Sequence, residues 1–200
     1  LRYDIPIPEN CVAVDSFMRK EADAQTWEVP EKLRTGQGKL IYFSMGSFCC
    51  AHIPLMEKLL KILAKSPNRF IISLGPYNKE LPGDNMWGER YLPQTAVLQK
   101  IDMIITHGGN NTVTESFYYG VPMLVLSFFA DQHDNAQRIL EVGLGDRADP
   151  FTLTENEWLK KIKKIAADDG LKQKMKQIGE RIRATDGRKD VVDFVENNLH

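Results

Sequence analysis

The chain has 200 residues, of which 42% are hydrophobic and 26% charged, and its formal net charge is −1 at pH 7. This length can bury the core of one α/β domain, and the near-zero charge excludes a broad electrostatic attraction to nucleic acid. No apolar run reaches the roughly 18 residues that a transmembrane helix needs. We therefore expect no nucleic-acid partner and no membrane span in this chain. The cysteines at positions 11, 49 and 50 lack the spacing of a zinc site or a disulfide framework.

Residues 1–38 are predicted to lead into the domain. The prolines of "DIPIPEN" favour extended backbone, "CVAV" at residues 11–14 predicts a short strand, and "TGQGK" predicts a turn. Continuous apolar runs then predict strands that are buried on both faces, at residues 40–44, 69–74, 102–106 and 122–126.

Apolar residues recur at helical spacing between and after these strands. They form three stripes: Met56, Leu59, Leu60 and Leu63; Leu171, Met175, Ile178 and Ile182; and Val191, Val195 and Leu199. Residues 131–145 predict a helix that ends at a glycine, and Thr154 with Glu157 has the spacing of a helix capping box. The alternation of strands and helices predicts a Rossmann-like open parallel sheet flanked by helices, in one domain.

The segment "ITHGGNNTVTESFYYGVP", residues 105–122, passes from a predicted strand into a predicted helix. Ligands of open parallel sheets bind beyond the carboxyl ends of the strands, and the first N–H groups of a helix attract an anion. Gly108 and Gly109 let a ligand approach the backbone. Asn111, Thr112 and the His107 imidazole add side-chain donors. The segment therefore predicts a phosphate site.

An ordinary strand-to-helix turn is the alternative, because Asn and Thr are common helix caps and neither GxxxxGK[ST] nor GxGxxG is present. Three other segments favour a ligand site, since they follow or flank neighbouring strands: "FSMGSF", "RYLPQTAVL" and "FFADQHDNA". Together with Glu115 they supply an aromatic face, a carboxylate, phosphate donors and a polar pair. This set matches the base, ribose, diphosphate and sugar of a nucleotide sugar.

Residues 91–135, and above all "THGGNNTVTESFYYGVPMLVLSFFADQHDNA", resemble the donor-binding signature of the UDP-glycosyltransferases, the family-1 glycosyltransferases. The resemblance covers nearly the whole chain and implies the C-terminal, donor-binding half of a GT-B fold. Residues 1–20 would then be an interdomain linker and lead-in strand, and residues 21–200 the UDP-sugar binding domain. The family's N-terminal acceptor domain would be absent from this chain.

The resemblance also implies roles for the residues of the nucleoside site. Tyr91 stands where the family usually has a tryptophan that stacks on uracil, so the stacking surface is narrower but still aromatic. The Leu92 backbone and the Gln94 side chain would lie beside the base and ribose. Glu115 would hold the ribose hydroxyls, since one carboxylate can accept from both.

For the diphosphate, the resemblance implies donors from two loops: Ser47, His107, Asn111, Thr112 and the backbone of Gly109 and Asn110. Asp131 and Gln132 would bind hydroxyls of the transferred sugar. Ser127 departs from the family pattern, which often has proline there, so we expect this loop to have a different backbone conformation. Residues 110–112 also match an N-glycosylation sequon, which we interpret as accidental because a glycan there would block the phosphate site.

The family transfers a sugar from a UDP-sugar to an acceptor hydroxyl with inversion, using a histidine base that an aspartate orients in the N-terminal half. We therefore expect this fragment to bind UDP or a UDP-sugar, with UDP-glucose as a candidate donor, but not to turn it over alone. No cofactor or metal ion is expected. The acceptor would be a small lipophilic molecule, as in detoxification, and the free thiols suggest a reducing, cytoplasmic location. A non-catalytic nucleotide-sugar binding module, or a domain of another GT-B nucleotide-sugar enzyme, is the alternative.

Overall fold

The computed structural model describes residues 6–14 and 27–198. In this part of the chain the strands are β1 Leu40–Ser44, β2 Arg69–Ser73, β3 Met86–Glu89, β4 Met103–Thr106, β5 Met123–Val125 and β6 Gly145–Arg147. The helices are α1 Glu31–Arg34, α2 Gly46–Cys49, α3 Ile53–Leu63, α4 Gln94–Leu98, α5 Asn110–Tyr119, α6 Asp131–Glu141, α7 Glu155–Ala166, α8 Asp169–Arg183 and α9 Gly187–Asn198.

The strands form one open parallel sheet in the order β3-β2-β1-β4-β5-β6. All four predicted strands are present, and β1 has the predicted bounds. The sequence did not predict β3 and β6, which lie at the two edges of the sheet. Each of these edge strands is short and carries glycine and charged residues, "MWGE" and "GDR", so neither shows the apolar run that marks a strand buried on both faces.

The strand predicted at residues 11–14 is wrong. These residues form no regular structure and are mostly exposed, and the Cys11 N–H donates to the Pro8 carbonyl across a turn. A β-branched run without a neighbouring strand to pair with has no reason to extend as a strand. The rest of the predicted linker, residues 15–20, and the start of the predicted domain, residues 21–26, lie outside the described residues, as does Leu199.

Helices cover both faces of the sheet, as the alternating pattern predicts. On one face, α3 and α7 pack on alternate strand residues, which include Phe43 and Phe70. Trp158 of α7 is the largest side chain buried in this layer. On the other face, α4, α5, α6 and α8 pack on the intervening residues, including Tyr42, Ile71 and Ile104. Alternate side chains of β1 therefore belong to two different apolar layers, and all residues of this strand are buried.

The predicted capping box is present, but the helix predicted over residues 131–145 is shorter, because α6 ends at Glu141 and Gly145 begins β6. Thr154 and Glu157 form a complete capping box at the start of α7. Gly120 ends α5 in the left-handed conformation, with φ 71°, and its N–H donates to Phe117 and Ser116 carbonyls. A Cβ at Gly120 would lie 2.9 Å from the Met175 carbonyl oxygen of α8. Gly120 is thus needed both for its backbone conformation and for the close approach of α8 to α5.

We predict that Gly120→Ala lowers the free energy of unfolding by about 1–3 kcal/mol, because a side chain is strained at positive φ and would press on the α8 backbone. Urea unfolding of the variant measures this change. Gly170→Ala in the first turn of α8 is the matched control, since its Cβ would meet nothing closer than 3.4 Å, and alanine favours a helix over glycine. Equal stability of the two variants would contradict the role assigned to Gly120.

Candidate functional site

The order of the strands places a crevice between β1 and β4. These two strands are neighbours, and from them the sheet continues in opposite directions, through β2 and β3 on one side and β5 and β6 on the other. Ser44 and Thr106, the last residues of the two strands, are paired in register. The loops that follow therefore leave the sheet at the same height and diverge, which is the usual ligand site of an open α/β sheet.

A cleft of about 860 Å³ lies at this point. Most of the residues predicted from the sequence to bind the nucleotide sugar line it: Ser47, Tyr91, Leu92, Gln94, His107, Gly109, Asn110, Asn111 and Thr112. The predicted residues Glu115, Asp131 and Gln132 lie outside this lining. The structure also adds lining residues that the sequence reasoning missed, among them Cys50 and Arg90. Arg90 directly precedes Tyr91 and follows β3. Because β3 was not predicted, there was no reason to expect Arg90 at the carboxyl edge of the sheet.

The His107 ring is held between two glycines. A Cβ at Gly46 or at Gly109 would lie 2.5 Å from a ring atom of His107, so any other residue at either position would displace the ring. His107 Nδ1 lies 3.3 Å from the Thr106 hydroxyl. The loops after β1 and β4 therefore meet on this imidazole, which forms part of the wall of the cleft.

The amino end of α5 points its backbone at the same cleft. The helix begins at Asn110, its N-cap is Gly109, and no side chain caps it. Asn111 and Thr112 lie inside the first turn, so neither of them caps α5. The segment is also a strand-to-helix turn, which is the alternative that the sequence leaves open. An uncapped helix start on a cleft wall can bind an anion through its first N–H groups.

Gln94, Thr112 and Glu115 form a buried polar cluster behind the cleft. Gln94 Nε2 donates to Glu115 Oε2 over 2.6 Å and lies 3.2 Å from Thr112 Oγ1. Glu115 is 3% exposed and does not line the cleft, whereas its partner Gln94 does. The structure thus brings together the residues predicted to serve the base, ribose and diphosphate. Glu115 differs from the others, because it reaches the lining of the cleft only through its bond to Gln94.

Comparison with known proteins decides the family. A family model described as "UDP-glucoronosyl and UDP-glucosyl transferase" matches residues 1–181. The chain belongs to this family. It is 28% identical over 181 residues to UDP-glucuronosyltransferase 2B16 of Oryctolagus cuniculus, covering 87% of this chain and 34% of that protein. It is 24% identical over 187 residues to UDP-glucosyltransferase 2 of Dactylopius coccus, covering 90% of this chain and 36% of that protein.

Solved structures give the same fold. The chain superposes on the glycotransferase of kitacinnamycin with a TM-score of 0.76 and 26% identity, covering 90% of this chain and 47% of that one. For CalG4, the calicheamicin glycosyltransferase, the TM-score is 0.72 at 23% identity. The predicted fold, an open parallel sheet as in GT-B glycosyltransferases, is confirmed. The chain spans about a third of the length of the two curated relatives above and about half of the kitacinnamycin structure.

The loop before α6 is tied to that helix at Ser127. The Ser127 hydroxyl lies 2.9 Å from His133 Nδ1, so a bond to α6 restrains this residue. Gln132 is 4% exposed, and its Oε1 accepts from the N–H groups of Phe128 and Phe129. Asp131 is exposed at the start of α6, next to Ala130, whose φ is 51°. Gln132 therefore braces the loop that presents Asp131.

Within the described residues, no group of His, Cys, Asp or Glu side chains could hold a metal ion. The described helices also include none with the length and apolar character to cross a bilayer. All three cysteines are free thiols, and burial raises the pKa of Cys49 to about 11. The Cys50 thiol donates to the Ser47 carbonyl over 3.4 Å and so contacts the loop after β1.

Burial lowers the pKa of His107 below its ordinary value of 6.5, although the Asp131 carboxylate and the bond to the Ser44 backbone oppose this effect. The ring of this UDP-glycosyltransferase domain is therefore neutral at pH 7. A neutral imidazole has one N–H to donate and carries no net charge. The electrostatic attraction for an anion in this cleft therefore comes from Arg90 and the start of α5, and not from a charge on His107.

We predict that His107 makes the folded chain less stable as the pH falls. The unfolded chain takes up the His107 proton near 6.5 whereas the folded chain resists it, so the free energy of unfolding declines as the pH falls through 6.5 and levels off below the folded pKa. Urea unfolding between about pH 8 and pH 5 measures the slope. His107→Gln should show a shallower slope over this range, and an unchanged slope would contradict the lowered pKa.

Proposed function

We propose that this domain is the donor-binding part of an inverting UDP-glycosyltransferase, and that the cleft between β1 and β4 binds the UDP-sugar. The observation that carries the proposal is the uncapped start of α5, which lies on the wall of this cleft beside His107. The names of the relatives, UDP-glucuronosyl- and UDP-glucosyltransferases, support a uridine diphosphate sugar as the donor.

The diphosphate would lie against α5 and the loop after β1. The N–H groups of Asn110, Asn111 and Thr112 belong to the first helical turn, whose N–H groups have no partner within the helix. Ser47 is exposed on the opposite side of the cleft, on α2, and can donate its hydroxyl to the same group. Two loops would thus hold the phosphates from both sides.

The nucleoside would lie toward the loop after β3. Tyr91 is 67% exposed at the wall of the cleft, so its ring can stack on a base without displacing core residues. Gln94 is the polar side chain behind it, and Glu115 orients Gln94 through the 2.6 Å bond. In this arrangement Glu115 accepts ribose hydroxyls directly only if Gln94 moves aside on binding, and otherwise acts through Gln94.

The transferred hexose, for which UDP-glucose is our candidate donor, would lie toward the loop before α6. The exposed Asp131 carboxylate is available for its hydroxyls, with Gln132 bracing the loop behind it. Bond cleavage leaves charge on UDP, and the α5 N–H groups with His107 would stabilise that charge without a metal ion or other cofactor. The acceptor would be a small lipophilic molecule with a hydroxyl. Its binding site and the general base would lie outside residues 1–200, which would therefore bind the donor without turnover. We propose a cytoplasmic location because the cysteines are free thiols.

We predict that the chain binds UDP and UDP-glucose more tightly than ADP, because uracil and the diphosphate are both recognised. Isothermal titration calorimetry measures the affinities, and adding EDTA should leave them unchanged. His107→Ala should weaken UDP binding about tenfold, the size of one hydrogen bond to a charged group. His133→Ala, outside the cleft lining, is the matched control. No response of the unaltered chain to any uridine nucleotide would refute the donor site.

We predict that Tyr91→Ala weakens UDP binding about tenfold, because the loss of one base–aromatic stack costs about 1–3 kcal/mol. Tyr91→Trp should preserve or increase the affinity, since the indole offers a larger stacking face. Pyrophosphate, which has no base, is the matched control ligand, and its affinity should be the same in all three proteins. If Tyr91→Ala binds UDP as well as the unaltered chain does, the base does not lie on this ring.

A further inference from the structure

Asn135 is a residue of α6 for which the sequence reasoning gave no role. Its side chain is half-buried, and Nδ2 donates over 3.0 Å to the carbonyl oxygen of Gly108, which lies 27 residues earlier in the chain. The same nitrogen is 3.3 Å from Asp131 Oδ2, one turn back on α6. Asn135 therefore links the start of α6 to the loop that leads into α5.

This bond fixes the direction of one peptide group. In a planar trans peptide the carbonyl and the following N–H point in opposite directions. The Gly108 carbonyl points toward α6, which follows β5, whereas the cleft lies on the other side of β4, above β1. The N–H of Gly109 therefore points toward the cleft, whose wall Gly109 forms in part. This N–H makes no hydrogen bond to the described part of the chain.

We infer that Asn135 is a positioning residue for the diphosphate: by holding the Gly108 carbonyl, it aims the Gly109 N–H at the donor's phosphates in advance of binding. The inference rests on the proposed UDP-sugar site and extends it to a residue that does not touch the ligand. Donors that are fixed in place before binding bind an anion more strongly, because no ordering cost remains.

Asn135→Leu keeps a side chain of similar size but removes both bonds of Asn135. Gln137→Ala is the matched control on the same helix, because the Gln137 amide donates to Glu141 within α6 and Gln137 does not line the cleft. Asn135→Asp is a second variant that keeps the shape of the side chain and replaces the donor with an acceptor.

The test combines calorimetry with UDP and NMR spectra of the ¹⁵N-labelled chain. In the unaltered chain and in Gln137→Ala, UDP should bind with similar affinity and should shift the Gly109 amide resonance strongly. In Asn135→Leu and Asn135→Asp the UDP affinity should fall about tenfold, and the Gly109 shift should be lost or much reduced. Thermal unfolding of each variant shows whether it is folded at the temperature of the titration.

The outcomes separate the inference from the site on which it rests. Failure of the unaltered chain to bind UDP overturns the donor site and the inference together. Binding by the unaltered chain, with an equal affinity and an equal Gly109 shift in a folded Asn135 variant, overturns the inference alone. A purely structural role for Asn135 predicts a lower unfolding temperature with the Gly109 shift intact, and that result also overturns it.

Discussion

The pairing of Ser44 with Thr106 is the constraint on which the site depends. It makes β1 and β4 end at the same height, so the loops after them begin side by side and then diverge. Gly46 and Gly109 come from these two loops, and the His107 ring fits between them only because neither carries a Cβ. A shift of one residue in this pairing would move His107 away from Gly46 and turn alternate strand residues to the wrong face of the sheet.

The sequence predicts the centre of this fold better than its edges, and there is a physical reason. Central parallel strands such as β1 are covered by helices on both faces and must be apolar throughout, so residues 40–44 could be recognised with their bounds. The edge strands β3 and β6 pair with one neighbour each and tolerate glycine and charge. The run at residues 11–14 shows the reverse error, since apolar residues alone do not make a strand where no neighbour pairs with them.

The candidate site shows the same division between what local sequence specifies and what packing specifies. The position of His107 after a buried strand predicts where its side chain lies, because the strand end and the helix start fix the loop between them. The orientation of Gln132 does not follow from its neighbours: its amide oxygen turns inward to the Phe128 and Phe129 N–H groups. Asn135 was missed for a related reason, since its partner Gly108 is adjacent only after β4 and β5 have paired.

The charges of the cleft explain why the direction of a single peptide group matters. The proposed ligand UDP would bring the negative charge of its diphosphate, yet Arg90 is the one Lys or Arg among the described residues that line the cleft. His107 is held neutral by burial and so adds no positive charge. Backbone N–H groups, each a fixed dipole, would then add to the attraction exerted by Arg90. If the cleft binds the diphosphate as proposed, the number of N–H groups aimed at the phosphates contributes to the affinity, and the Gly109 amide counts among them.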